Sequence, residues 1–379
     1  MSSRSLSMLV VLPVTILFIR PMSAPGQEGS TSQDSRPPGN NSPLPVESSV
    51  DLVPLTPAPL TQQPQGTDRA EGGSFQAGLF GNGLGREFRP SVYRADYRVA
   101  WFPDEPVSGQ NTNLGFVRQD FAATVPFWQD ECNDFAGIFH LRNEAFHTLA
   151  ILPDTGQPFP QELWDVRIGA GYRHLFDNGW IGGGNVSLGS SGDQPFAHSR
   201  DFTGAVNMFL TVPQGEHNAW FFTVAYSSNS ELPFPVPGVA YMWQPTDYFR
   251  ANIGLPFQLM YRPADDMTLD VSYMLLRTFH ARATYRITPW LRVYAGYDLE
   301  NEAYPLADRP DDRDRLFYYD QRASTGLQVP VCNNATLDLS GGYTFDRFYF
   351  EGQHFSDSNN NRIDVGAGAY VALQLRAHW

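Results

Sequence analysis

Residues 362–379 alternate without a break. Ile363, Val365, Ala367, Ala369, Val371, Leu373, Leu375, Ala377 and Trp379 fall on one side of an extended chain. Arg362, Asp364, Gly366, Gly368, Tyr370, Ala372, Gln374, Arg376 and His378 fall on the other. A repeat of two is the signature of a strand, since a helix repeats at 3.6. The run is about three times longer than a typical strand of five or six residues. Its apolar face carries no charge.

Other segments repeat the pattern. Tyr93, Ala95, Tyr97, Val99 and Trp101 oppose Arg94, Asp96, Arg98 and Ala100. Val166, Ile168, Ala170 and Tyr172 oppose Asp165, Arg167, Gly169, Gly171 and Arg173. Leu291, Val293, Ala295 and Tyr297 oppose Arg292, Tyr294, Gly296 and Asp298. A soluble sandwich would turn the apolar face inward. A transmembrane barrel turns it outward to lipid and lines its lumen with the polar one.

Length and tryptophan placement favour the barrel. The strands run to ten or more residues, as a tilted span requires. Trp101, Trp128, Trp164, Trp180, Trp220, Trp243, Trp290 and Trp379 all fall at expected strand ends. An aromatic girdle at the membrane interface would put them there.

The segments number sixteen: 91–102, 114–128, 134–152, 162–176, 180–190, 202–213, 219–229, 238–244, 248–254, 257–263, 267–276, 278–287, 290–303, 314–330, 335–350 and 362–379. The expected fold is all-β, a closed antiparallel transmembrane β-barrel over residues 73–379, with sixteen strands and a range of 12–16. An even count suits bacterial barrels. Every second connection is short and turn-like, and those should be periplasmic. The stretch 267–287 lacks Gly, Pro and Asn. As one strand it would aim Arg277 at lipid, costing about 2–4 kcal/mol. A hairpin at 276–278 avoids that.

The N-terminus reads as an address. Arg4 precedes a twelve-residue apolar stretch at 8–19, and small residues follow. That is a signal-peptide pattern over 1–26. Residues 27–72 hold no aromatic and many Pro, Ser, Thr and Gln, the composition of a disordered spacer. Location therefore points to the bacterial outer membrane.

The C-terminal strand, ending in a terminal aromatic at Trp379, resembles the assembly signal of bacterial outer-membrane proteins. With the signal peptide and strand ladder, the chain resembles porin-like outer-membrane β-barrels. The stretches PFPVPGVAYMWQP, IGLPFQLMYRP and GYTFDRFYF are similar to an uncharacterised outer-membrane barrel family known only as a domain of unknown function. The resemblance implies membrane lipid and the barrel-assembly machinery as partners. It implies no catalytic residue.

Forty acids against 26 bases, every one of them Arg, give a net charge of −14. This argues against nucleic acid, which calls for a basic patch. The candidate site is the inward charge: Arg94, Asp96, Arg98, Arg118, Asp120, Asp165, Arg167, Arg173, His280, Arg282, Arg286, Asp320, Arg322 and Arg376. These residues suit a constriction that selects small solutes by charge. The expected function is a passive or weakly selective channel for small solutes; the alternative is a salt-bridge ladder that fills a non-conducting structural or adhesive barrel. The acids of 298–314, among them Glu300 and Glu302, read as a solvated loop.

Residues 78–85 (GLFGNGLG) lack the context of a phosphate loop and suit a segment inserted at the barrel entrance. Asp357, Asn359, Asn361 and Asp364 have calcium-like spacing, but Arg362 stands where Gly is needed. An outer-membrane lipid-modifying enzyme would need a convergent Ser, His and acid. The eight His are scattered and no G-x-S-x-G occurs, so no enzyme, cofactor or metal is expected. Cys132 and Cys332 fall in expected periplasmic turns of an oxidising compartment. They would form a disulfide only if those turns folded inward to bring Cα atoms within about 7 Å.

Overall fold

The computed structural model describes residues 88–379 except 231, 233, 275–277 and 308–312. The expected signal peptide, the spacer and the Gly-rich stretch at 78–85 lie outside the described residues. The strands are β1 (Arg94–Pro106), β2 (Asn113–Gln129), β3 (Asn133–Thr148), β4 (Glu162–Leu175), β5 (Ile181–Gly192) and β6 (Phe202–Gln214). There follow β7 (Asn218–Ser227), β8 (Val236–Thr246), β9 (Phe249–Gly254), β10 (Phe257–Ala264), β11 (Met267–Met274) and β12 (Thr278–Thr288). The last are β13 (Leu291–Pro305), β14 (Arg315–Cys332), β15 (Ala335–Gly352), β16 (Ile363–Val365) and β17 (Gly368–His378).

Each strand pairs antiparallel with its neighbours, and β1 pairs with both β2 and β17, which closes the sheet. β16 and β17 share one register on β15: Arg347 faces Val365 and Thr344 faces Gly368. They are two pieces of one stave, so the barrel has sixteen staves. Closure removes every sheet edge, the condition for β structure in lipid. At the seam Tyr93 and Trp379 exchange backbone hydrogen bonds of 3.2 and 3.0 Å, and their rings stack at 5.9 Å.

Tight turns set the register at one rim. Thr246 pairs with Phe249, and Ala264 with Met267. Gly179 and Gly215 supply the positive φ that the turns after β4 and β6 need. Met274 pairs with Thr278, so the 267–287 stretch is a hairpin.

The apolar face points outward. Ile168, Leu188 and Met208, central on their strands, are 68%, 65% and 63% exposed. The inner face buries charge and aromatic rings. Two expectations change. Trp101 lies inside β1, because β1 runs on past a bulge to Pro106; the other seven Trp stay near strand ends. Ile363 and Val365 turn inward, while Val371, Leu373 and Leu375 face out. The cause is a bulge at Asp346, where φ is 55° and the register to β14 slips by one residue. A one-residue slip moves every side chain to the opposite face. β16 follows β15 through that change.

The wall is uneven. β14 and β15 have eighteen residues each, whereas β9 has six and β10 and β11 eight.

Candidate functional site

The interior is layered. Towards the rim with the longer loops, Phe102, Phe116, Phe146, Tyr318, Tyr349 and Tyr370 form a buried aromatic cluster. The β3–β4 connection folds in beneath it, burying Leu152 and Phe159. Ile151 bridges to Pro158 at the base of that connection. Its tip is clasped by Asn361, whose Oδ1 accepts from the Asp154 and Thr155 amides at 2.8 and 3.0 Å. The Asn361 side-chain amide donates to Glu351 at 2.7 Å. The calcium-like spacing thus serves loop anchoring. No group of side chains suited to a metal ion occurs among the described residues.

Next to the aromatic cluster lies an ion-pair network. Arg118 Nη1 meets Glu300 Oε2 at 2.7 Å, and its Nη2 meets Glu144 Oε1 at 2.7 Å. Arg322 binds Glu300 and also Asp320, the latter at 3.2 Å. Arg142 binds Asp120 and Glu302. The Tyr304 hydroxyl donates to Glu302 at 2.8 Å. Side chains of Arg118, Glu300 and Arg322 are only 3%, 3% and 2% exposed. Guanidinium forks suit such multiple carboxylate contacts.

The network crosses the interior. β13 is five staves from β2 along the wall, a path of about 24 Å at about 4.8 Å per strand. The Arg118–Glu300 bond spans that gap directly, so the wall is tightly curled here. The same rim is stitched further round. Ala307 N donates to Asp193 at 2.7 Å, Asn229 donates to the Ala303 carbonyl at 2.7 Å, and Arg315 to the Ser230 carbonyl at 3.2 Å.

Beside the network sits a small polar chamber of about 20 Å³, room for one or two waters. Arg98, His280, Arg282, Tyr294, Asp298, Ser324, Ser340 and Tyr370 line it, with Glu300 and Arg322. His280 Nδ1 lies 2.6 Å from Asp298 Oδ1, and its Nε2 is buried without a partner. Arg282 stacks on the Tyr294 ring at 4.1 Å.

The expected site residues therefore divide. Arg118, Asp120, Asp320 and Arg322 join the network. Arg98, His280 and Arg282 line the chamber. Asp96 is bound by Gln374, with both contacts at 2.8 Å, and Arg376 by Asp338 at 3.0 Å. Asp165 and Arg167 pair with each other at 2.6 Å. Arg173 holds Asp134 and the Arg89 carbonyl. Arg94 opens β1 opposite His378. Arg286 pairs with Asp266 at the short-turn rim, away from the network, and both are well exposed.

Glu300 and Glu302 correct the solvated-loop expectation. Both lie within β13, two and four residues after inward-facing Asp298, and so point into the interior. Arg142 and Glu144 were not singled out by sequence. Their signal was present: they follow inward His140 at two-residue spacing. Cys132 and Cys332 are both free. Four strand spacings, about 19 Å, separate the two turns along the wall.

No family model matches the chain, and no curated protein is similar to it in sequence. Among solved structures, an outer-membrane channel from Pseudomonas putida F1 is similar at 9% identity and TM-score 0.36, over 78% of this chain and 98% of that one. OccK7 from Pseudomonas aeruginosa is similar at 9% identity and TM-score 0.33, over 76% and 98%. The translocator domain of the autotransporter NalP from Neisseria meningitidis is similar at 11% identity and TM-score 0.30, over 80% and 94%. The fold stands on its own strand pairing. It is a closed antiparallel β-barrel of sixteen staves with an apolar outer face.

Proposed function

We propose that this protein is a bacterial outer-membrane barrel whose interior is held closed by its own ion pairs. It acts as a structural or loop-presenting barrel at rest. The observation that supports this is the Arg118–Glu300–Arg322 bridge across the interior, with every member buried. Burying charge is costly, and these partners offset the cost only in this arrangement. Asp96, Asp165, Arg167, Arg173 and Arg376 hold further polar contacts along the wall.

The address fits the same reading. A secretory signal at 1–26 would deliver the chain, and the strand ending at Trp379 would engage the barrel-assembly machinery. Lipid would contact the outward apolar band.

A second reading, a narrow and weakly selective channel for small solutes, is favoured by the polar chamber beside the network. Planar-bilayer recording separates the two. The closed barrel predicts no regular current steps from protein whose folding is verified by heat-modifiable migration. Reproducible steps from that protein would sink it and establish the channel.

A further inference from the structure

Three features of the chamber are unexplained by a self-satisfied ladder. Arg98 makes no hydrogen bond or ion pair among the described residues, although it projects into a confined space. Arg282, on the opposite side, has only the Tyr294 ring as a partner and no carboxylate at contact distance. His280 is about nine-tenths buried, is fixed through Nδ1 by Asp298, and leaves Nε2 with no partner. Two half-buried guanidiniums without a contacting carboxylate, both facing one small volume, offer charge-assisted donors to an anionic acceptor.

We propose that this chamber binds a small free carboxylate, the size of formate or acetate. Arg98 and Arg282 would supply the charge-assisted donors. His280, anchored through Nδ1 on Asp298, lines the same volume and fixes its shape. The volume of about 20 Å³ excludes larger acids. The chamber hydroxyls do not compete as a nucleophile. Ser324 is hydrogen-bonded to Tyr370 and Ser340 to Tyr294, and neither reaches His280. The site is therefore one for binding. It requires the barrel interior but not solute passage, so its test does not depend on conductance.

The test is saturation-transfer NMR on the folded full-length barrel in chloride-free buffer, with formate as the probe. Wild type should transfer saturation to the formate proton. Acetate should displace formate, and benzoate should not. Arg98→Gln and Arg282→Gln should each weaken formate about tenfold, the loss of a charge-assisted pair. Arg98→Lys should retain part of the binding, and Arg286→Gln should leave it unchanged. Heat-modifiable migration confirms that each variant is folded. No transfer in wild type, unchanged transfer in folded Arg98→Gln, or displacement by benzoate would each overturn the proposal.

Discussion

Arg118 on β2 and Glu300 on β13 are 182 residues apart in the chain and 2.7 Å apart in the barrel. Both are buried from water. Arg118→Ala leaves Glu300 with Arg322 alone and Glu144 with no cation at contact distance. Removing one member of a buried pair costs about 3–5 kcal/mol. The expected outcome is a lower denaturant midpoint for the barrel in lipid vesicles. A change within experimental error would show that water replaces the guanidinium.

Ile168 lies on the outward apolar face of β4 and is 68% exposed. Ile168→Arg would put a charge near mid-membrane, costing about 2–4 kcal/mol. Folding into vesicles, read by heat-modifiable migration, should fall with it. Equal folding yields for Ile168→Arg and wild type would place that face away from lipid.

The β15–β16 connection carries a pH-sensitive contact. The backbone amide of His354, with that of Gln353, holds the Asp357 carboxyl below the usual carboxylate range. A depressed native value means that the stabilisation is present above the unfolded value. It is lost as pH falls below about 4 and through the native value. Proteolysis of this connection should therefore rise in that acid window, and Asp357→Asn should flatten the profile. An identical pH response in Asp357→Asn would remove Asp357 from the account.

Free thiols at Cys132 and Cys332 predict two maleimide additions per folded chain. The exposed Cys332 should react before the half-buried Cys132. Reductant should leave migration unchanged. A reductant-sensitive shift would reveal a bridge between the two turns.

Much of this architecture was legible because lipid and lumen impose opposite chemistry on alternate residues. The outward placement of Val371, Leu373 and Leu375 needs only a period of two. Alternation cannot register a residue inserted between two strands, so the bulge at Asp346 hid the inward turn of Ile363 and Val365. Nor does it distinguish a polar lumen from one that also packs rings. Tyr370 was placed on the inner face, but its stacking with Phe102 at 5.1 Å depends on chain ends far apart in sequence. The network was half visible. Arg118 and Arg322 stand out as inward charges, while Glu300 reads with the acidic run 298–314 as loop although it falls within the expected strand 290–303.

The uneven wall has a consequence for the surrounding membrane. Strands of eighteen residues reach about 60 Å and a strand of six about 20 Å along their own axes. A tilted span needs about 9–11 residues, so β9, β10 and β11 fall short of the ordinary hydrocarbon thickness. In an outer membrane, lipid beside them would thin to meet them, at a modest cost per ångström of mismatch. Lipid beside β14 and β15 need not. In that setting the protein would impose a direction on the bilayer around it. Neighbouring copies that turn their low sides together share one thinned patch in place of two, which makes membrane elasticity an orienting force between them.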